Sequence, residues 1–123
     1  MSIKSLIFGK TSEDDAARYL RKNGYKILER NYRTNLGEID IIAKEKGVIV
    51  FVEVKARTST RYGSPKQAVN PGKQKKISMT AQCWLKAKNQ TGAKARFDVV
   101  TVMSENGEKQ FELVRNAFDL AFR

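Results

Sequence analysis

The chain has 123 residues, 41% of them hydrophobic, with only 2 Pro and 8 Gly, which suits one folded domain spanning 1–123 with a single core. Its formal net charge is +11, histidine is absent and there is one cysteine. Ser-His-Asp, Cys-His and zinc-finger chemistries are therefore excluded, and any catalysis must run on carboxylates, lysine and a hard metal.

In chain order, Thr11 or Ser12 followed by Glu13, Asp14 and Asp15 predicts a helix start, with capping hydroxyls and first-turn acids that complement the dipole. Ala16, Ala17, Tyr19 and Leu20 give this helix an apolar face and Gly24 a stop, so it is expected over 12–23. Tyr25 to Arg33 reads as a first strand, with a turn at Thr34-Asn35-Leu36-Gly37. Glu38 to Lys44 and Val48 to Lys55 read as two more, joined through Glu45-Lys46-Gly47. The last of these is apolar on both faces for most of its length, as in a central strand covered on each side. Tyr62-Gly63-Ser64-Pro65 reads as a loop. After Asn70-Pro71-Gly72, the residues Ile77, Ala81, Trp84, Leu85 and Lys88 recur at helical spacing until Gly92. Cys83 and Trp84 are read as core residues of that helix. Phe97 to Met103 is a valine-rich strand, Asn106-Gly107 a hairpin turn, and Gln110 to Arg115 a last strand before a short helical tail. The order α-β-β-β-α-β-β makes this an α/β chain.

No apolar run approaches the roughly 20 residues of a spanning helix, and Met1 to Phe8 is too short for a signal-peptide core, so a cytoplasmic protein with no membrane partner is expected. The positive charge is localised. Between Val54 and Phe97 lie eleven basic residues and no acid, while the rest of the chain carries thirteen of each sign. A one-signed stretch in an otherwise balanced domain suits a polyanion binder, although a solvated basic face would carry the same charge.

The chemistry concentrates on the central strand. Glu53 and Lys55 are two apart and share a face with Ile49 and Phe51, so a carboxylate and an ammonium continue a row of core residues. If the turn is the two-residue loop Lys46-Gly47, Asp40 lies directly across from Glu53, whereas a one-residue slip would turn one of the carboxylates to the other face. Facing carboxylates repel unless a cation or a shared proton holds them, and Mg²⁺ or Mn²⁺ is the economical cation for oxygen ligands beside a phosphate. Lys55 would then position water or neutralise developing charge. Alternatively, Glu53 and Lys55 form an ordinary strand-end ion pair with Asp40 in the same exposed patch.

Several motifs together resemble the PD-(D/E)xK nuclease superfamily, and within it the YraN-like family of small bacterial proteins, which is similar to archaeal Holliday junction resolvases. They include Glu13 to Leu20, Gly24-Tyr25, Arg30-Asn31-Tyr32-Arg33, Gly37-Glu38-Ile39-Asp40, Phe51-Val52-Glu53-Val54-Lys55, Gly63-Ser64-Pro65, Ala68-Val69, Lys73, and Arg96-Phe97-Asp98-Val99-Val100. The resemblance implies a restriction-endonuclease-like fold, a central mixed sheet flanked by helices. It also implies that Asp40, Glu53 and the carbonyl of Val54 are metal ligands, that Lys55 is the catalytic lysine, and that Glu13 is an acid approaching the same site; first-turn capping is the rival reading of Glu13. Ile39 replaces the proline of the family name, and Ser12 stands where a glycine often precedes the helix acid. Glu38 is a minor candidate, either beside the site or salt-bridged to a basic neighbour. Asp98 is read as structural, paired with Arg96 or a backbone donor.

The function expected is a Mg²⁺- or Mn²⁺-dependent phosphodiesterase, endonuclease or exonuclease, acting on DNA, with branched or junction DNA as a candidate. Arg57, Arg61, Lys66, Lys73, Lys75 and Lys76 would hold backbone phosphates without reading sequence. Symmetric junction cutting needs two sites and so implies a homodimer. The rival from another class is a non-catalytic nucleic-acid-binding module that retains the fold. An interaction protein that docks an acidic partner is a third.

Overall fold

The computed structural model describes residues 3–57, 70–105 and 107–119. The elements run α1 (Ile3–Lys22), β1 (Lys26–Thr34), β2 (Gly37–Glu45), β3 (Val48–Arg57), α2 (Pro71–Ala87), β4 (Ala95–Glu105) and β5 (Glu108–Phe118). The five strands form one sheet in the order β1-β2-β3-β4-β5; all neighbours are antiparallel except β3 and β4, which run parallel across the α2 connection. This is the expected α-β-β-β-α-β-β order and is consistent with a restriction-endonuclease-like fold.

The side-chain alternation of β3 builds both halves of the core. Val50 and Val52 face one layer with Ala16, Ala17, Leu20, Tyr25, Ile41 and Val100. Ile49 and Phe51 face the other with Ile42, Ile77, Ala81, Trp84, Leu85 and Phe97. Thus α1 covers one face and α2 the other, which is why β3 reads as apolar on both sides. The α2 layer is rich in aromatic contact: the Phe51 and Trp84 rings meet edge to face with centroids 5.9 Å apart, and Phe97 stacks on Phe118 at 4.6 Å.

Three expectations need correction. Helix α1 begins at Ile3, not near residue 12, so Ser12 is fully buried inside the helix and caps nothing. The acids that follow sit at mid-helix and find cations across space: Glu13 and Asp14 meet Arg30, and Asp15 meets Arg18 and Lys109. A hydroxyl followed by three acids imitates a capping sequence wherever it falls. Cys83 is only partly buried rather than core. Finally, strand β5 continues through Phe118 where a helical tail was expected, because Ala117 packs into the α2 layer and Phe118 onto Phe97. The Tyr62–Pro65 loop lies outside the described residues.

Near the start of β4, a buried polar cluster ties the three strands β2, β4 and β5 to Tyr25 in the turn after α1. Asp98, with no exposed surface, accepts from the Tyr25 hydroxyl at 2.6 Å, from Arg96 Nε at 3.0 Å and from the Asn116 amide at 2.9 Å. Arg96 also reaches Glu45, which Arg115 grips with both Nε and Nη2 at 3.2 and 3.0 Å. Burial, reinforced by Asp98, pushes the Tyr25 phenol up, while the hydrogen bond from Arg115 pulls the Glu45 carboxyl down to about 2.

Removing Asp98 takes the acceptor from the buried Tyr25 phenol and from the Asn116 amide, and one of its two carboxylates from Arg96. Asp98→Ala is therefore expected to cost about 3–5 kcal/mol in chemical denaturation. Because Glu45 is depressed, its contribution is present above its ordinary value of 4.5 and is lost as pH falls through about 2. Acid unfolding curves of Glu45→Gln should accordingly be flatter over that window than those of the wild type.

Candidate functional site

The β2–β3 hairpin aims the candidate residues. Lys46 at φ +50° and Gly47 at φ +82° make a two-residue turn with both residues in the left-handed region, the twist that matches antiparallel strands. Glu45 therefore pairs with Val48, and the register runs unbroken to Ile41 opposite Val52. Asp40 and Glu53 are the next residues on each strand. Backbone pairing ends there, and the carboxylate takes over: the Val54 amide donates to Asp40 Oδ2 at 2.8 Å.

The other neighbour of Asp40 is Asn31, which stands between the Arg30↔Ile41 and Tyr32↔Ile39 pairs at φ +55°. Around it the two strands change face. Arg30 reaches α1 and Ile41 joins the α1 layer, whereas Tyr32 and Ile39 join the α2 layer. Asp40 sits at this change of face, half-buried. A β1–β2 end so turned packs closely on α2: a Cβ at Gly37 would stand 2.9 Å from Thr80 Oγ1, so only glycine fits.

Glu53 is 8% exposed and carries two ammonium groups on one oxygen: Lys55 Nζ lies 3.3 Å and Lys73 Nζ 2.6 Å from Oε1. Lys55 comes from the same strand. Lys73 comes from the first turn of α2, which Asn70 caps by accepting from the Lys73 amide at 2.9 Å, with Pro71 as the first helical residue. Burial, with Lys73 adding to it, pulls the Lys55 ammonium down, and Glu53 opposes this. For Lys73 burial is the largest influence and lowers its value, but the hydrogen bond to Glu53, the contact with Lys55 and the charges of Glu53 and Asp40 together outweigh it, so its value is raised.

Among the described residues no ammonium or guanidinium bonds Asp40. Burial first, then Glu53, with Glu13 and Glu38 behind it, pushes its carboxyl up to about 7 against the single amide bond from Val54. Glu13 thus faces the site from α1, held by Arg30 at 3.4 Å while Arg30 also takes Asp14 at 2.7 Å. Glu13, Asp14, Arg30, Asn31 and Arg33 line a cavity of about 450 Å³ on the β1 side. Glu38 pairs instead with Arg33 at 3.2 Å on the exposed rim.

Asp40, Glu53, Val54, Lys55 and Glu13 are therefore brought to one region, and Lys73 joins them. Lys75 and Lys76 are exposed on α2, and Arg57 ends β3. Arg61 and Lys66 lie outside the described residues. Sequence reasoning missed how closely Lys73 approaches Glu53, and missed the part of Arg30, Asn31 and Arg33 in walling the neighbouring cavity. The Asn70-Pro71 start fixes Lys73 in the first turn of α2, but nothing in the spacing says that this turn lies over the end of β3.

Among the described residues no three carboxylates or thiols are close enough to hold an ion, so the acid pair Asp40 and Glu53 is the core of any donor set. Mg²⁺ commonly takes one or two carboxylates and completes its shell with water and substrate phosphate oxygens. Two carboxylates, one of them made protonation-prone by burial and then by the charge of the other, with neither histidine nor thiol beside them, fit such an ion better than zinc. The Val54 carbonyl is available in sequence position as a further oxygen donor.

Residues 12–102 match the model of a family described as uncharacterised protein family UPF0102. A UPF0102 protein of Desulfosudis oleivorans is 52% identical over 112 residues, covering 91% of this chain and 89% of the relative. One from Geobacter metallireducens is 47% identical over 99% of this chain and 100% of its own length. One from Persephonella marina is 45% identical, with 96% and 98% covered.

The raised value of Asp40 has a stability consequence with a definite sign. Its stabilising proton is fully held below the ordinary 3.8 and is lost as pH rises through about 7. Asp40→Asn keeps an acceptor for the Val54 amide and removes the charge. In EDTA it is expected to melt above wild type at about pH 8, with the gap closing toward about pH 5, as thermal unfolding followed by circular dichroism would record.

Proposed function

The chain belongs to the UPF0102 family, the YraN-like family its motifs resemble, and since that family name states no activity we propose a function from the site: a Mg²⁺- or Mn²⁺-dependent phosphodiester hydrolase acting on DNA. The observation that carries it is the convergence of Asp40, Glu53 and Lys55 at the end of the central strand, with Asp40 left in the negative field of its neighbours. Asp40, Glu53 and the Val54 carbonyl would hold the ion. When bound, the ion supplies Lewis-acid polarisation of the phosphoryl group.

The chain's own groups do the rest. Lys55, its charge weakened by burial, orients the attacking water and neutralises charge that develops on the phosphoryl oxygens. Glu13, fixed by Arg30, faces Asp40 from α1 and is placed to accept a proton or a water hydrogen bond. Lys73, Lys75, Lys76 and Arg57, with Arg61 and Lys66, supply phosphate contacts that hold the backbone without reading bases. The acid-free basic stretch supports a nucleic acid as the substrate class. Branched or junction DNA, with two chains acting as a homodimer, is the specific form of the reading. A cytoplasmic location belongs to it as well; no helix among the described residues is long and apolar enough to cross a membrane.

One observation favours a second reading. Glu53 is already engaged by two lysines, as in a structural ion-pair cluster, and a chain that kept this cluster closed would be a DNA-binding module without turnover.

Incubation with branched, single-stranded and duplex DNA in Mg²⁺ or Mn²⁺ separates the two. Wild type is expected to cleave, and Asp40→Ala, Glu53→Ala and Lys55→Ala each to lose about 10²-fold or more in rate while still binding DNA. If wild type is as inert as the variants yet retains DNA, the binding-module reading replaces the hydrolase.

A further inference from the structure

The contact between Lys73 and Glu53 does more than balance charge. Asp40 and Glu53 bring two carboxyl groups, and Lys55 and Lys73 two ammonium groups, to the same end of β3. Both lysines bond the same oxygen of a nearly buried carboxylate, and the closer of them, at 2.6 Å, is the one from α2. A divalent cation that used Glu53 would therefore enter a cluster whose best acceptor is already occupied by an ammonium.

Like charges so close repel strongly in a partly buried setting, so one ammonium has to leave. The two lysines differ in how freely they can do so. Lys55 rises from the strand itself and its side chain is 26% exposed; Lys73 stands at the rim and is 39% exposed. The Lys73 backbone is pinned by its amide bond to Asn70 and by the helix start at Pro71, so only its four-carbon stem needs to swing. The rim it swings toward carries Lys75 and Lys76, both exposed.

We propose that Lys73 is a displaceable counter-ion: it holds Glu53 in the metal-free chain, is expelled from it by a divalent metal, and then takes a phosphate of the nucleic-acid backbone. This rests on the hydrolase reading above. Lys73 is thus a positioning residue that couples two ligands. Metal binding alone leaves the cluster with an excess of positive charge, which a phosphodiester neutralises, so each ligand tightens the other, and by linkage the factor is the same in both directions.

The experiment uses the full chain, Mn²⁺ alone as the first probe and a cleavage-resistant phosphorothioate DNA duplex as the second. In calorimetric titration of the metal-free chain, Lys73→Met is expected to bind Mn²⁺ about 5-fold or more tightly than wild type, because the competitor has gone. Lys73→Arg, which keeps a cation at Glu53, should bind no more tightly than wild type. When Mn²⁺ is present, the slope of log affinity for the duplex against log salt should be steeper in wild type than in Lys73→Met by about one contact's worth. Equal Mn²⁺ affinity in wild type and Lys73→Met, with Glu53→Ala weaker than both, would overturn the counter-ion role and leave the metal site standing. Mn²⁺ binding that is absent or identical in wild type, Lys73→Met and Glu53→Ala would overturn the metal-site reading itself and this inference with it. Melting curves of each variant verify that the exposed position tolerates the change.

Discussion

The arrangement at the site depends on two dihedral angles at the tip of one hairpin. Lys46 and Gly47, both with positive φ, make the β2–β3 connection two residues long, and that length fixes which residue of β2 meets which residue of β3. A slip of one residue would turn Asp40 to the face opposite Glu53. The hydrophobic layers enforce the same pairing independently. Ile42 and Phe51 meet under α2 while Ile41 and Val52 meet under α1, so a slipped register would expose both sets at once. Core packing and turn geometry therefore agree, and the chemistry inherits a rigid frame from residues that take no part in it.

Rigidity alone does not make a site, because a strand end of this kind would normally finish in solvated charges. Here three elements close over it. Asp40 substitutes for a backbone partner by accepting the Val54 amide, α2 delivers Lys73 through a capped first turn, and α1 delivers Glu13 on the arm of Arg30. Burial then works against the charges it encloses. The Asp40 carboxyl is driven up and the Lys55 ammonium down, so both are less stable in their ordinary ionic forms than they would be in water. A fold selected for stability alone would fill these positions with valine or threonine; the retained strain is what makes the position worth testing for function.

The parts of this molecule that were legible in the sequence are those governed by local rules. The Lys46-Gly47 turn, the doubly apolar β3, the Asn70-Pro71 helix start and the hairpin signal at Asn106-Gly107, whose first residue lies outside the described residues, each carry their instruction within a few residues, and the order of elements along the chain follows from them. The failures come where a local signal had a distant partner. Glu13, Asp14 and Asp15 look like first-turn acids, but Arg30 on β1 and Lys109 on β5 account for them at mid-helix. Cys83 follows the helical pattern of the core yet lies at the edge of the buried stripe. At the site the triad was readable because it lies on one hairpin. The approach of Lys73 was not, since it depends on how α2 docks across the sheet, and no spacing along the chain encodes a docking angle.

Two aspartates on neighbouring regions of the sheet show how differently one fold can surround the same acid. Asp98 matches the family pattern as well as Asp40 does, and it is the more deeply buried of the two. Its three donors, Tyr25, Arg96 and the Asn116 amide, satisfy both oxygens, and Arg96 extends the balance to Glu45 and Arg115. Nothing further is needed there, so the cluster acts as a clasp between β2, β4, β5 and the turn after α1. Asp40 has one backbone donor, and the charges that dominate its surroundings are the carboxylates of Glu53, Glu13 and Glu38. Conformational context, not residue type, makes the difference: the clasp is complete in the folded chain, whereas among the described residues Asp40 is bonded by one backbone amide and by no cation, with Lys73 acting on it only at a distance. That contrast in bonding is what the proposed metal-site reading rests on.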